Sequence, residues 1–203
     1  ALVGALAGFL VTLPLWAHFN AGTSDMQFVE SAEWIPRFDV RYLLGVDGIS
    51  MPFVLLNSFV TLLVVWAGWE VIQTRVAQYM AAFLIMSGLI NGAFAALDGV
   101  LFYVFFEAML IPMYLIIGVW GGPNRVYAAV KFFLYTLVGS LLMLVALIYL
   151  YRVSESFSIL DWYQVPLSLP VQILLFVAFF VAFAVKVPMW PVHTWLPDAH
   201  VEA

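Results

Sequence analysis

The sequence contains no cysteine. That excludes a disulfide framework, a thiol nucleophile and a cysteine-ligated metal cluster. Charge is nearly as scarce, at 9% of residues, and its balance is acidic, with a net charge of −5. A nucleic-acid-binding surface needs clustered Lys and Arg, so no nucleic-acid partner is expected. Only three histidines are present. His200, with Asp198 and Glu202 nearby, lacks the spacing of a ligand set, and no metal site is expected. The chain opens at Ala1 inside an apolar run, with no Met and no basic stretch before it, and closes at AHVEA. No signal peptide is visible, and the chain is expected to be a piece of a longer protein.

What is there is apolar surface. Hydrophobic residues make up 66% of the chain, including 18 Phe, 8 Trp and 9 Tyr. No soluble fold of this size has an interior large enough to hide that much. The expectation is an all-α, polytopic transmembrane helix bundle forming one membrane domain over residues 1–203, in contact with the lipid bilayer. The aromatic residues read as lipid-facing and interfacial-belt positions.

Six apolar runs are long enough to cross a bilayer. The first is Ala1–Ala17, with Gly4, Ala5, Ala7 and Gly8 suited to close helix packing. A polar stretch, His18–Val46, follows, with Trp34 and Pro36 as an interfacial anchor. The second run is Asp47–Trp69, where Asp47 is placed to cap a helix. The third is Tyr79–Leu97, whose Gly88, Asn91 and Gly92 mark a face pressed against another helix. Asp98 caps the fourth, Val100–Val119, which ends at the breakers Gly121, Gly122 and Pro123. The fifth is Val126–Tyr151. A second polar loop, Arg152–Leu169, leads to Pro170 and the sixth run, Val171–Leu196. Short loops carrying Arg75, Arg125 and nearby Lys131 have the higher basic density, which puts Glu70–Gln78 and Gly121–Arg125 on the cytoplasmic side. The reading is of a multi-pass protein of a bacterial inner membrane.

Four ionisable residues lie inside these runs. Glu107 is near the centre of the fourth, where a carboxyl group costs on the order of 3 kcal/mol. Such a group calls for a partner, a water-filled cavity or a role in moving ions, and Pro112 frees the carbonyl of Ala108 one turn away. Lys186 falls just past the middle of the sixth run. Pro188 and Pro191 follow it and should break the helix, leaving carbonyls that only protein or a water-filled cavity can satisfy. His193 comes after the break and titrates nearest neutral pH. Lys131 sits about a turn and a half into the fifth run, either as a positive-inside anchor or reaching toward Glu107. Together these residues read as stations for proton movement.

The stretches GVDGIS at 45–50, FFEAMLIPMYLIIGVWGG at 105–122, KFFLYT at 131–136 and AVKVPMWPVHTWLPDAH at 184–200 resemble the antiporter-like membrane subunits of respiratory complex I. The resemblance implies about fourteen helices in two inverted repeats with discontinuous helices, of which this chain would hold roughly the second to the seventh. It implies a subunit that conducts protons within an NADH:quinone oxidoreductase. Glu107 resembles the family's essential glutamate, Lys186 the lysine of its broken helix, and His193 the histidine that follows. Lys131 falls in the helix between them. The family implies no cofactor in this chain; NADH, FMN, iron–sulfur clusters and quinone would belong to partner subunits, and neighbouring antiporter-like subunits would be its contacts. Mrp-type sodium/proton antiporters share the fold and are the alternative, and a non-conducting scaffold bundle is a second. Gln73–Gln78 and Thr23–Glu33 match no signature of the family.

Overall fold

A computed structural model describes residues 1–202. They form nine helices and one hairpin: α1 (Leu2–His18), β1 (Gln27–Ile35), β2 (Val40–Val46), α2 (Ser50–Val71), α3 (Val76–Ala95), α4 (Gly99–Ala108), α5 (Leu110–Trp120), α6 (Arg125–Ser154), α7 (Ile159–Trp162), α8 (Leu169–Lys186) and α9 (Trp195–Glu202). Five helical segments are long and apolar enough to span a membrane: Ser50–Val71, Val76–Ala95, Gly99–Trp120, Arg125–Ser154 and Leu169–Lys186. The first expected span, α1, is apolar but has only 17 residues. The chain is an integral, multi-pass membrane protein. The backbone separates into two compact units, Ala1–Pro112 and Met113–Ala203.

The buried stripes mix small and hydroxyl-bearing residues with large apolar ones, and many of the exposed positions are large and apolar too. On α6 the buried residues are Ala128, Ala129, Phe132, Thr136, Gly139, Ser140, Met143, Ala146, Leu147 and Leu150. Their spacing of three and four places them on one face of a 3.6-residue helix. The opposite face shows Val126, Leu134, Val138, Leu141, Val145 and Ile148, each exposed. In water that pattern would be unstable; against lipid tails it is neutral, and close backbone approach holds the helices together. Buried hydroxyls bond back to their own helices, as in Thr136 Oγ1 to the Phe132 carbonyl (2.7 Å) and Ser140 Oγ to the Leu137 carbonyl (2.8 Å).

The first unit packs α2 against α1 and α3, and α3 against α4. A polar seam joins α2 to α3. Asn57 Nδ2 donates to Asn91 Oδ1 (2.8 Å) and to the Ser87 carbonyl (2.9 Å), and Asn91 Nδ2 donates to Ser58 Oγ (3.1 Å). Thr61 Oγ1 donates to Ser87 Oγ at 2.8 Å. Asn91 and Gly92 are contact positions, as expected: a Cβ on Gly92 would lie 2.7 Å from the Phe105 ring of α4. Gly88 differs. It faces a cavity of about 310 Å³ lined also by Gly4, Gly8, Ser58 and Thr61.

The polar stretch after α1 holds structure that the sequence reading passed over. It forms an antiparallel hairpin with Glu33 opposite Arg41 and Ser31 opposite Leu43. Nearly every residue of β1 is exposed, so there was no apolar/polar alternation to betray a strand. The hairpin is tied to the α3–α4 corner. The Leu97 N–H donates to the Leu43 carbonyl (2.9 Å), and Asp98 Oδ2 accepts the Arg41 N–H (3.0 Å). Asp98 Oδ1 meanwhile accepts the N–H groups of Val100 (2.8 Å) and Leu101 (3.0 Å), which is the expected cap of α4. Asp47 acts similarly on α2. Its Oδ1 accepts from Ile49 (3.0 Å) and Ser50 (2.7 Å), and its own N–H donates to Ser50 Oγ (3.0 Å).

The two caps are opposite in their acid–base behaviour. Burial pushes the Asp98 carboxyl above its ordinary value, against the pull of its three backbone donors. The Ser50 N–H leads a set of bonds that hold Asp47 below its own. A raised carboxyl stabilises the fold fully below the ordinary carboxylate pH, and that contribution is lost as pH rises through the raised value. A lowered one stabilises above the ordinary pH and is lost only in stronger acid.

In the second unit α6 is the axis. Both α8 and α9 pack along it. A Cβ on Gly139 would lie 2.9 Å from Val185 Cγ2 of α8, closer than a real Cβ tolerates, so the absent side chain permits the contact. The loop between α6 and α8 is pinned by a Tyr151–Phe157 stack with ring centroids 4.2 Å apart and by the Trp162 indole donating to the Ser156 carbonyl (2.9 Å).

Two stability outcomes follow. Asp98→Ala removes the α4 cap and the hairpin tie, and should cost about 1–2 kcal/mol; Asp98→Asn, which cannot ionise, should flatten the part of the pH–stability profile between the ordinary carboxylate range and neutrality. Gly139→Val should cost about 1–3 kcal/mol by overpacking the α6–α8 contact. Both are read as thermal unfolding of the purified full-length protein in detergent, and unchanged melting in either variant would contradict the contact concerned.

Candidate functional site

Glu107 is the ninth of 22 residues in the segment Gly99–Trp120. It lies in the last turn of α4, half-buried, with Oε1 shielded from solvent. The helix is interrupted directly after it. α4 ends at Ala108, Met109 stands outside either helix, and α5 starts at Leu110. Pro112 is the cause. It has no N–H for the Ala108 carbonyl, and its ring crowds that group. The expected kink is therefore present, and the membrane carboxyl sits beside it.

Lys186 stands at the second interruption. The run Val171–Leu196 is expected to break at its two prolines, and it does: α8 ends at Lys186 itself. Its depth can be measured on the neighbouring helix. Val185 touches Gly139, which is the fifteenth of the 30 residues of α6. Lys186 thus lies opposite the middle of a full-length span, and the remainder of its own segment continues beyond the break as α9.

The break, residues 187–194, follows from its two prolines. Pro188 cannot donate to the Ala184 carbonyl, and Pro191 cannot donate to that of Val187. The chain compensates with other donors. The Met189 N–H reaches back to the Ala184 carbonyl at 2.8 Å, and the Trp195 indole N–H donates to the Val185 carbonyl at 2.8 Å. Trp195 is buried against Phe132 of α6, with ring centroids 5.1 Å apart. The hydroxyls of Thr194 and Tyr135 bond at 2.8 Å. His193 lies within the break. Its Nδ1 is buried, and among the described residues no group hydrogen-bonds to it.

Lys131 has a partner that sequence reasoning did not assign. Its Nζ bonds Asp198 Oδ2 of α9 at 2.5 Å, with the Tyr127 ring 5.6 Å away. Glu202, one turn on, also binds α6. Its Oε2 accepts the Asn124 N–H (2.8 Å) and its carbonyl accepts that of Gly122 (2.7 Å). A carboxylate there meets the positive end of the α6 dipole. Asp198 and Glu202 share one helical face directed at α6, while His200 is exposed. The i, i+4 spacing of these acids was the available signal.

The unit Met113–Ala203 thus holds a span in two pieces, with a lysine at the end of the first, a histidine in the gap and a salt bridge on the second. The unit Ala1–Pro112 holds a glutamate at a helix interruption. Ionisable groups at broken helices, where freed backbone and side chains can hold water or a charge, are what a path for ions through lipid requires.

Comparison with known proteins agrees with this architecture. NADH-quinone oxidoreductase subunit M of Rhodobacter capsulatus is 52% identical over 218 residues, an alignment that takes in all of this chain and 42% of that one. NADH-ubiquinone oxidoreductase chain 4 of Arabidopsis thaliana is 46% identical, over all of this chain and 41% of that one. The chain therefore spans about two fifths of the length of the curated relatives it matches. Among solved structures, a chain of respiratory complex I from Thermus thermophilus with bound NADH superposes with a TM-score of 0.88 at 35% identity, covering 99% of this chain and 42% of that one. A chain of the Mrp complex from Dietzia sp. DQ12-45-1b superposes with a TM-score of 0.87 over 98% of this chain and 22% of that one, and at 22% identity it shares the fold alone. Residues 96–203, more than half of the sequence, match the membrane-domain family described as NADH:quinone oxidoreductase/Mrp antiporter, and the protein belongs to that family.

Proposed function

We propose that this chain is part of a proton-conducting membrane subunit of an NADH:quinone oxidoreductase. The observation that carries the reading is the pairing of ionisable residues with helix interruptions: Glu107 beside the gap at Met109, and Lys186 and His193 at the gap of residues 187–194. A scaffold bundle has no reason to place charge at the centre of its spans, where each group is costly. Among the alternatives, the complex I relatives are at 46–52% identity and the Mrp chain at 22%, which favours the redox-driven pump.

In the mechanism, Glu107 loads a proton from the cytoplasmic side. Lys186 passes the proton on through His193, whose Nδ1 is buried. Lys131 supplies a fixed positive charge at the entry end of α6. Quinone reduction takes place in other subunits, which hold NADH, FMN, the iron–sulfur clusters and the quinone. Other membrane-arm subunits flank this one in a bacterial inner membrane.

Two outcomes test this. Glu107→Gln keeps shape and hydrogen bonding but cannot ionise, and Lys186→Ala removes the central cation; in the full-length subunit of the assembled complex each should lower quinone reduction and proton translocation together by about tenfold or more, equivalent to ~1.4 kcal/mol on the barrier. Glu107→Asp should be milder. Normal pumping by an assembled Glu107→Gln complex would sink the reading. Independently, the amides of Trp190 and Val192 should exchange with solvent faster than those of Ile173–Phe180. Uniformly slow exchange across both stretches would mean that the break admits no water.

A further inference from the structure

Two half-helices separated by eight residues have no covalent reason to stay collinear. α8 is held by the close contact of Val185 with Gly139 at the centre of α6. α9 is held by different means. Its buried contacts are few, with Trp195 and Ala199 the buried residues of the helix. What it presents to α6 besides these is two carboxylates one turn apart, Asp198 on Lys131 and Glu202 on the N-terminus of α6. The Lys131 ammonium is thereby drawn along its own helix surface toward α9, with the Tyr127 ring beside it. The gap of residues 187–194, with His193, hangs between a packed half-helix and a charge-held one.

We propose that Asp198 is a positioning residue of the proton path: its ion pair with Lys131, seconded by Glu202 at the start of α6, latches the second half-helix and so sets the geometry of the break that carries Lys186 and His193. The proposal rests on the proton-conducting reading for its functional part. The latch itself is a structural statement with its own readout. Asp198 touches no reacting group; it acts through Lys131 and through the placement of α9.

The discriminating experiment uses the full-length subunit in its assembled complex, with Asp198→Asn, Asp198→Glu and the double exchange Lys131→Asp with Asp198→Lys. Hydrogen exchange of the amides in residues 187–194 reports the latch, and proton translocation reports the path. Asp198→Asn should assemble, speed exchange in the break by about tenfold, and lower translocation at least about threefold. Asp198→Glu should restore both. The double exchange should restore slow exchange, because the attraction is kept, while translocation stays low, because the charges at the two positions are reversed. If Asp198→Asn leaves exchange unchanged, there is no latch and the proposal falls, whatever Glu107→Gln does to pumping. If exchange quickens while translocation is normal, the latch does not position the path, and the proposal falls in its functional half. If Asp198→Asn fails to assemble, the double exchange decides: assembly with slow exchange upholds the ion pair as the latch, and failure to assemble overturns it.

Discussion

Every feature of this molecule answers to one constraint: in lipid, a backbone N–H or carbonyl without a partner has no water to turn to. A helix satisfies most of its own groups, which is why five helical segments of 18 to 30 residues, one of them interrupted at Met109, dominate the described residues. The informative places are where the constraint is strained. At Pro188 the Ala184 carbonyl loses its normal donor, and the Met189 N–H replaces it from one residue further along. The Val185 carbonyl is taken by the Trp195 indole from beyond the gap. The break is a structured element whose replacement donors come from within it, at Met189, and from its far side, at Trp195. Trp195 is consequently both an anchor, its ring tilted against Phe132, and a substitute for a backbone donor.

The same constraint explains why the polar side chains cluster. Hydroxyls on α6 fold back onto their own carbonyls, while amides on α2 and α3 find each other. Such bonds between helices are worth about 0.6 kcal/mol on average and less than 2 at most, so the Asn57–Asn91 seam sets the register of α2 on α3 more than it adds stability. Charge is handled in two ways. Asp98 and Asp47 are held by backbone N–H groups at helix starts, one buried and pushed up, the other surrounded by donors and pulled down. Lys131 is held by a carboxylate from another helix. Fixed charges at helix ends and ionisable groups at helix interruptions are two distinct uses of the same few residues.

The hairpin of residues 27–46 and the salt bridge of Lys131 show where reading the chain by itself reached its limit. β1 is exposed on both faces, so no period of two could appear, and its pairing with β2 is set by backbone bonds and by the anchor at Asp98, 57 residues from Arg41 in sequence. Lys131 was legible as a cation within a span, but which carboxylate it meets depends on how far α9 runs back along α6. Pro188 and Pro191 announced that the helix breaks; they did not announce that it resumes.

What the sequence alone determined is what depends on local chemistry: that the chain lives in lipid, because two thirds of its residues are hydrophobic; where helices begin, because Asp47 and Asp98 cap through bonds of two or three residues' reach; and where they fail, because proline lacks a donor. Glu107, Lys186 and His193 were legible for the same reason, as ionisable groups in apolar surroundings beside a breaker. Only the tertiary structure decided the rest. It placed Lys186 opposite the middle of α6 through the Gly139–Val185 contact, set Asp198 and Glu202 as a grip on α6, and gave the Val185 carbonyl to Trp195. These depend on distances across ten to seventy-eight residues of chain, which helix packing sets and no local pattern encodes.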